Sequence, residues 1–170
     1  MSPDPEPDLP PLVPERPQDA AAVDRLIMAA FGPGRFAKAA ERVREGGRTP
    51  AYDVSFLAWD GERVIGCVQM WPVRIGDRAA LLLGPFAVEP GLRSQGLGAA
   101  LVRRACEAAA EAGHALVVLV GDEPYFGPLG FSAAAAAKVR MPGPADQRRV
   151  LVLALKDGAD AGLEGMVLPV

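Results

Sequence analysis

Apolar side chains at Val23, Ile27 and Phe31, with Leu26 beside them, recur at helical spacing and predict a helix over residues 20–31. Asp19 stands before the run as an N-cap candidate, and Gly32-Pro33-Gly34 ends it. A second short helix is predicted over residues 36–45, stopped by Gly46-Gly47. The pattern then changes to strands. Residues 54–59 and 63–73 read as a hairpin turning at Asp60-Gly61, and a turn near Gly76-Asp77 leads into residues 78–88. Together they predict a three-stranded antiparallel meander.

After Val88 the pattern changes again. Glu89-Pro90-Gly91 breaks the strand, and residues 96–112 read as a helix with a narrow stripe of Leu97, Leu101, Ala105, Ala108 and Ala112. Gly113 terminates it, and residues 115–120 form a continuous apolar run, as in a strand covered on both faces. Strand, helix and covered strand make a βαβ unit. The expected class is therefore α/β, a mixed α+β sheet with antiparallel strands first, a parallel pair next and helices on both faces. Residues 122–129 read as a short helix or turn, with weaker strands near residues 135–141 and 150–155; the alanines at residues 133–137 are equally compatible with a helix.

Composition limits the function. Half of the 170 residues are apolar and 23% are charged, the balance of an ordinary globular domain. Residues 1–14 are rich in proline and acid and read as a flexible tail before a single domain over residues 15–170. A net charge of −3 argues against coating nucleic acid, although Arg93, Arg103 and Arg104 allow a local basic rim. Cys67 and Cys106 sit in apolar periodic segments and read as buried free thiols, and the single His114 cannot assemble a metal site. No leader pattern or membrane span is visible, so a cytoplasmic protein with no membrane partner is expected.

A mixed sheet with one βαβ unit has its natural ligand site beyond the carboxyl ends of the parallel strands, beside the start of the crossover helix. That position is residues 88–99. The first amides of a helix lack internal partners and carry partial positive charge, so they attract anions, and glycines let a phosphate approach the backbone. Gly96 and Gly98 stand there and Arg93 adds a full charge, though the same glycines would also suit a simple tight turn. The nucleotide-binding loop fails because no lysine follows Gly98. The dinucleotide fingerprint fails because Leu101 replaces its third glycine and Val118 lies near its acidic position.

What remains, Arg93-x-x-Gly96-x-Gly98 after a strand ending Val88-x-Pro90, resembles the acyl-CoA signature of the GNAT (Gcn5-related) N-acetyltransferase superfamily. The resemblance extends from about Arg16 to the C-terminus. Its later part, Gly121-Asp122-Glu123-Pro124-Tyr125-Phe126 with Gly130-Phe131, is similar to a bacterial subgroup carrying a GDPxYYxxFGF-like segment.

The resemblance implies an enzyme that moves acetyl from acetyl-CoA, as co-substrate, to a primary amine by direct attack in a ternary complex. It implies that the amides of Ser94, Gln95, Gly96, Leu97, Gly98 and Ala99, with Arg93, hold the pyrophosphate. Phe86, Ala87 and Val88 would pair with the pantetheine as if it were a strand. It also implies a bulge in that strand, for which Gly84-Pro85 is the sequence cause.

One position departs from the pattern. The family's proton-donating tyrosine falls on Phe126, which has no proton to give, so Tyr125 is either a general acid or a packed residue. Asp122 reads as a helix cap or a pantetheine neighbour. Glu89 reads as a solvated carboxylate and His114 as structural, so no base is assigned. Trp59 and Trp71 read as core or cleft wall, with acceptor-pocket lining as the alternative, and Phe31 and Phe36, beside the family's acceptor region, as core or acceptor contacts. A noncatalytic acyl-CoA-binding module and a nucleotide-binding module are the alternatives. The acceptor, a small-molecule or peptide amine, stays unidentified, and a homodimer through exposed sheet edges is compatible with the pattern.

Overall fold

Three consecutive strands form the centre of the molecule, as their alternation predicts. The computed structural model describes residues 9–31 and 48–170. Its main elements are β1 (Leu12–Pro14), α1 (Ala20–Phe31), β2 (Phe56–Asp60), β3 (Arg63–Ile75), β4 (Arg78–Val88), α2 (Leu97–Glu111), β5 (Leu116–Val120), α3 (Glu123–Phe126), β6 (Val139–Arg140), β7 (Val150–Ala154) and β8 (Gly165–Pro169). The sheet order is β1-β2-β3-β4-β5-β7, with β8 added to β3 and paired with β6. β2, β3 and β4 are antiparallel neighbours, whereas β4 and β5 run parallel, which completes the βαβ unit.

The alternation along the strands sends side chains to two layers. α1 packs over Leu57, Cys67 and Ala87 with Val23, Leu26 and Ile27, all buried. α2 covers the opposite face, where Leu97, Leu101 and Ala105 meet Phe56, Val68, Met70 and Val88. Close approach of α2 depends on Gly66, since a Cβ there would lie 2.8 Å from Leu101 Cδ1. β5 is covered on both sides as its apolar run predicts: Val117 and Leu119 join the α2 layer, and Leu116 and Val118 join a further cluster with Val73, Leu82, Val139 and Val152. Among the described residues no helix is long and apolar enough to cross a membrane.

Several local expectations change. Leu12, Val13 and Pro14, assigned by composition to the tail, pair with Ala58, Leu57 and Phe56 as an edge strand, a position where proline is tolerated. Asp19 does not cap α1. Its carboxylate turns back to accept the Arg16 amide at 2.8 Å and the Arg16 guanidinium at 3.0 Å, closing the turn Pro17–Asp19. The first hairpin turns at Gly61-Glu62, one residue later than expected. The strand expected over residues 135–141 is only Val139–Arg140, preceded by turns, and β8 was not anticipated. The predicted helix over residues 36–45, with Phe36, lies outside the described residues.

Candidate functional site

β4 and β5 pair only at Leu81–Val117 and Leu82–Val118, and then separate. Among the described residues, no strand pairs with this edge of β4 beyond Leu82. The separation starts where β4 bulges: Val68 pairs with Phe86 and Met70 with Leu83, so Gly84 and Pro85 together oppose Gln69. Gly84 has φ 137°, a conformation that favours glycine. The extra residue also shifts the alternation, which is why Leu83 and Val88 both reach the α2 layer while Ala87 reaches α1. The expected bulge is present, and it opens the cleft.

Beyond β4 the chain forms a 3-10 turn over Pro90–Gln95, which holds Arg93, Ser94 and Gln95, and enters α2 through Gly96 at φ 82°. Only glycine adopts that left-handed backbone routinely, and a Cβ at Gly96 would meet nothing within 4 Å. Gly96 therefore turns the chain and leaves open space at the helix start. Gly98 has a different reason. A Cβ there would stand 2.8 Å from the Tyr125 hydroxyl and 2.9 Å from Phe86 Cζ. Its missing side chain seats two aromatic residues, rather than simply admitting a phosphate. Leu97 buries its side chain in the core and Ala99 is half-buried.

Tyr125 and Phe126 divide the expected tyrosine's surroundings between them. Phe126 is buried, edge-on to Phe131, and packs against Gly121, where a Cβ would come within 2.5 Å of its ring. Tyr125 is 45% exposed, stacks beside Phe86 with ring centroids 6.2 Å apart, and carries its hydroxyl to the first turn of α2. Burial raises that hydroxyl above its ordinary value of 10, against the opposing Arg103 charge, so it remains protonated at neutral pH.

On the α1 side of the bulge lies a cleft of about 320 Å³, between Asp24 and Ile27 of α1, Arg48 and Tyr52 of the following segment, Gln69 and Trp71 of β3, and Pro85. Glu15 also lines it. Pro14 pairs with Phe56 and Phe56 with Val68, so the next residues, Glu15, Ser55 and Gln69, form a row across the sheet that ends at the bulge. Gln69 Nε2 donates to both Glu15 carboxylate oxygens, at 2.8 and 3.0 Å. Burial raises the Glu15 carboxyl above its ordinary value of 4.5; the Gln69 hydrogen bond opposes this, and the charges of Asp19 and Asp24 reinforce it. Reading the sequence missed this pair. Its only local sign is a polar Gln69 inside an apolar strand.

The other singled-out residues have structural roles. The Asp122 carboxylate pairs with Arg149 at 3.1 Å and makes no side-chain cap, although the Asp122 carbonyl accepts the Tyr125 and Phe126 amides. Glu89 is not simply solvated: Arg63 lies 3.2 Å from its Oε2. The His114 amide closes the far end of α2 on the Ala109 carbonyl. Trp71 is buried as a cleft wall, Trp59 borders the α1 layer, and Phe31, expected in the core, is 39% exposed. Arg104 lies 4.6 Å above the Phe56 ring, so it serves packing as well as charge. Burial pushes both thiols up to about 12; Cys67 is buried and Cys106 half-buried.

Comparison with known proteins gives this geometry a context. The profile of the acetyltransferase (GNAT) family matches residues 20–125. YhbS, a GNAT-family N-acetyltransferase of Escherichia coli solved in complex with CoA, is 30% identical over 100% of this chain and 94% of its own, with a TM-score of 0.80. A GNAT-family acetyltransferase of Brucella melitensis, solved with acetyl-CoA, is 27% identical over 93% of this chain and 94% of its own, with a TM-score of 0.69. The ribosomal-protein-S18-alanine N-acetyltransferase of Escherichia coli, 18% identical over 86% of this chain and 94% of its own at a TM-score of 0.58, shares the fold. A search of curated proteins found no match.

Proposed function

The chain belongs to the acetyltransferase (GNAT) family, and on that premise we propose that it transfers acetyl from acetyl-CoA to a primary amine of a small-molecule or peptide acceptor. The carrying observation is the edge of β4 over Gly84 to Ala87, with which no strand pairs among the described residues on the β5 side, and which leads on toward the start of α2. Phe86 and Ala87 offer backbone groups along that edge, where a pantetheine adds as an extra strand reaching toward Val88. The amides of Ser94 to Ala99, with the Arg93 charge, receive the pyrophosphate at the helix N-terminus. The open space at Gly96 supports this assignment; Gly98 contributes by seating Tyr125 and Phe86.

Tyr125 supplies the proton for the departing thiolate. Its hydroxyl is protonated, partly exposed and adjacent to the cofactor loop, whereas Phe126 is committed to the core. Direct attack in a ternary complex suits two openings that meet at one bulge, because holding both reactants there supplies much of the rate. Calorimetry with acetyl-CoA tests the donor site: saturable binding is expected, and its absence would remove the reading. Thiol release with an amine panel then separates an enzyme from a module that only binds acyl-CoA.

A further inference from the structure

We propose that the cleft between α1 and the Gly84-Pro85 bulge takes the acceptor as a small ammonium ion, with Glu15 removing its proton and Asp24 as a second anionic contact. The proposal rests on the acyl-transfer reading and adds to it the charge class of the acceptor and the identity of the base. Glu15 is 4% exposed and Gln69 7%, yet both line the cleft. Among the described residues the donor to the Glu15 carboxylate is the neutral Gln69 amide and not a cation. Burying a carboxylate against a neutral amide is costly, and a bound ammonium ion would offset that cost. Gln69 stands opposite the bulge, and Glu15 and Pro85 line the same cleft, so the cleft connects Glu15 to the bulged segment of β4. The walls at Ile27, Trp71 and Pro85 suit an apolar substituent.

Other bases are poorly placed. Glu89 is engaged by Arg63, and His114 lies at the far end of α2. Burial strengthens Glu15 as a base, and Asp19 and Asp24 act in the same direction while the Gln69 hydrogen bond opposes them. Arg48, Tyr52 and Cys67 are the other ionisable groups around it. The ammonium ion gives one proton to the Glu15 carboxylate, which leaves a neutral amine and a neutral carboxyl. The amine nitrogen bonds to the thioester carbonyl carbon and then loses its second proton to solvent. As the adduct collapses the C–S bond breaks with its electron pair on sulfur, and the thiolate takes the Tyr125 proton. Tyr125 recovers a proton from solvent and Glu15 releases its own, so the products are amide, CoA thiol and one proton.

Phenethylamine is a suitable probe, with phenylalanine as its carboxylate-bearing analogue. In calorimetry on CoA-saturated protein at neutral pH, phenethylamine is expected to bind about tenfold or more tightly than phenylalanine, a difference of about 1.4 kcal/mol. Glu15→Gln and Asp24→Asn are each expected to weaken phenethylamine several-fold and to leave CoA affinity unchanged, which also shows that the variants fold. With acetyl-CoA, Glu15→Gln is expected to lower kcat/KM for phenethylamine about 100-fold and to abolish the acidic limb of the pH profile. Three results overturn the proposal while CoA still binds: no amine binding, equal binding of the two probes, or a Glu15→Gln enzyme with the unmodified pH profile. Loss of CoA binding in the unmodified protein instead removes the acyl-transfer reading, and this proposal with it.

Discussion

Gln69 holds both carboxylate oxygens of Glu15, at 2.8 and 3.0 Å, although the two residues are 54 positions apart. The contact joins the edge strand to the residue opposite the bulge. Gln69→Leu keeps the volume and removes the donor, leaving the carboxylate buried and unpaired. A loss of about 1.5–3 kcal/mol is expected, the range for hydrogen bonds to charged groups, measurable by urea unfolding. Because the Gln69 bond lowers the Glu15 pKa, its removal should also move the acidic limb of activity to higher pH.

Ser55 secures the wall beside that pair. Its hydroxyl accepts the Met70 amide at 2.9 Å and donates to the Ala51 carbonyl at 2.8 Å, with the residue fully buried. Ser55→Ala strands a buried N–H and should cost about 1–3 kcal/mol. Thermal unfolding of the two proteins checks this, and an unchanged Tm would contradict it.

The two loop glycines should fail differently. Gly98→Ala places a Cβ against Tyr125 and Phe86, so both rings must move. Gly96→Ala meets no atoms but forces alanine to φ 82°, at roughly 1–2 kcal/mol. Acetyl-CoA affinity is expected to fall in both variants. Only Gly98→Ala should also disturb the tyrosine ring signals in NMR spectra.

Tyr125→Phe removes the hydroxyl and keeps the ring beside Phe86. Turnover should fall about 100-fold with acetyl-CoA binding unchanged, as for loss of a general acid. Because the hydroxyl titrates above its ordinary value of 10, the unmodified enzyme should keep this proton at pH 9. Equal kcat in the two proteins would remove Tyr125 from the chemistry.

Asp19 closes the turn before α1. Burial opposes its charge, but the Arg16 side-chain and backbone hydrogen bonds prevail and hold its carboxyl below the ordinary 3.8. Its contribution is therefore fully present above 3.8 and is lost as pH falls through the depressed folded value. Asp19→Ala should cost about 1 kcal/mol at neutral pH. The difference in unfolding free energy between the two proteins should shrink under strongly acidic conditions.

Periodicity alone determined α1, the meander, the βαβ unit and the covered β5, because each is a repeat of apolar positions within one short segment. The glycine-bearing loop after Val88 likewise pointed to the proposed donor side, since a helix start attracts anions whatever surrounds it. Even there, composition hid an edge strand at Leu12–Pro14, and periodicity could not show β8, whose pairing with β3 joins distant segments. Tertiary structure decided which of Tyr125 and Phe126 turns toward the loop, because side-chain direction in a short helix follows the packing of Phe126 on Gly121. It also decided the Glu15–Gln69 row. That row exists only once β1, β2 and β3 are in register, so no local pattern carries it. The proposed donor loop is written in neighbouring residues, whereas the cleft beside the bulge is assembled from segments that only the sheet brings together.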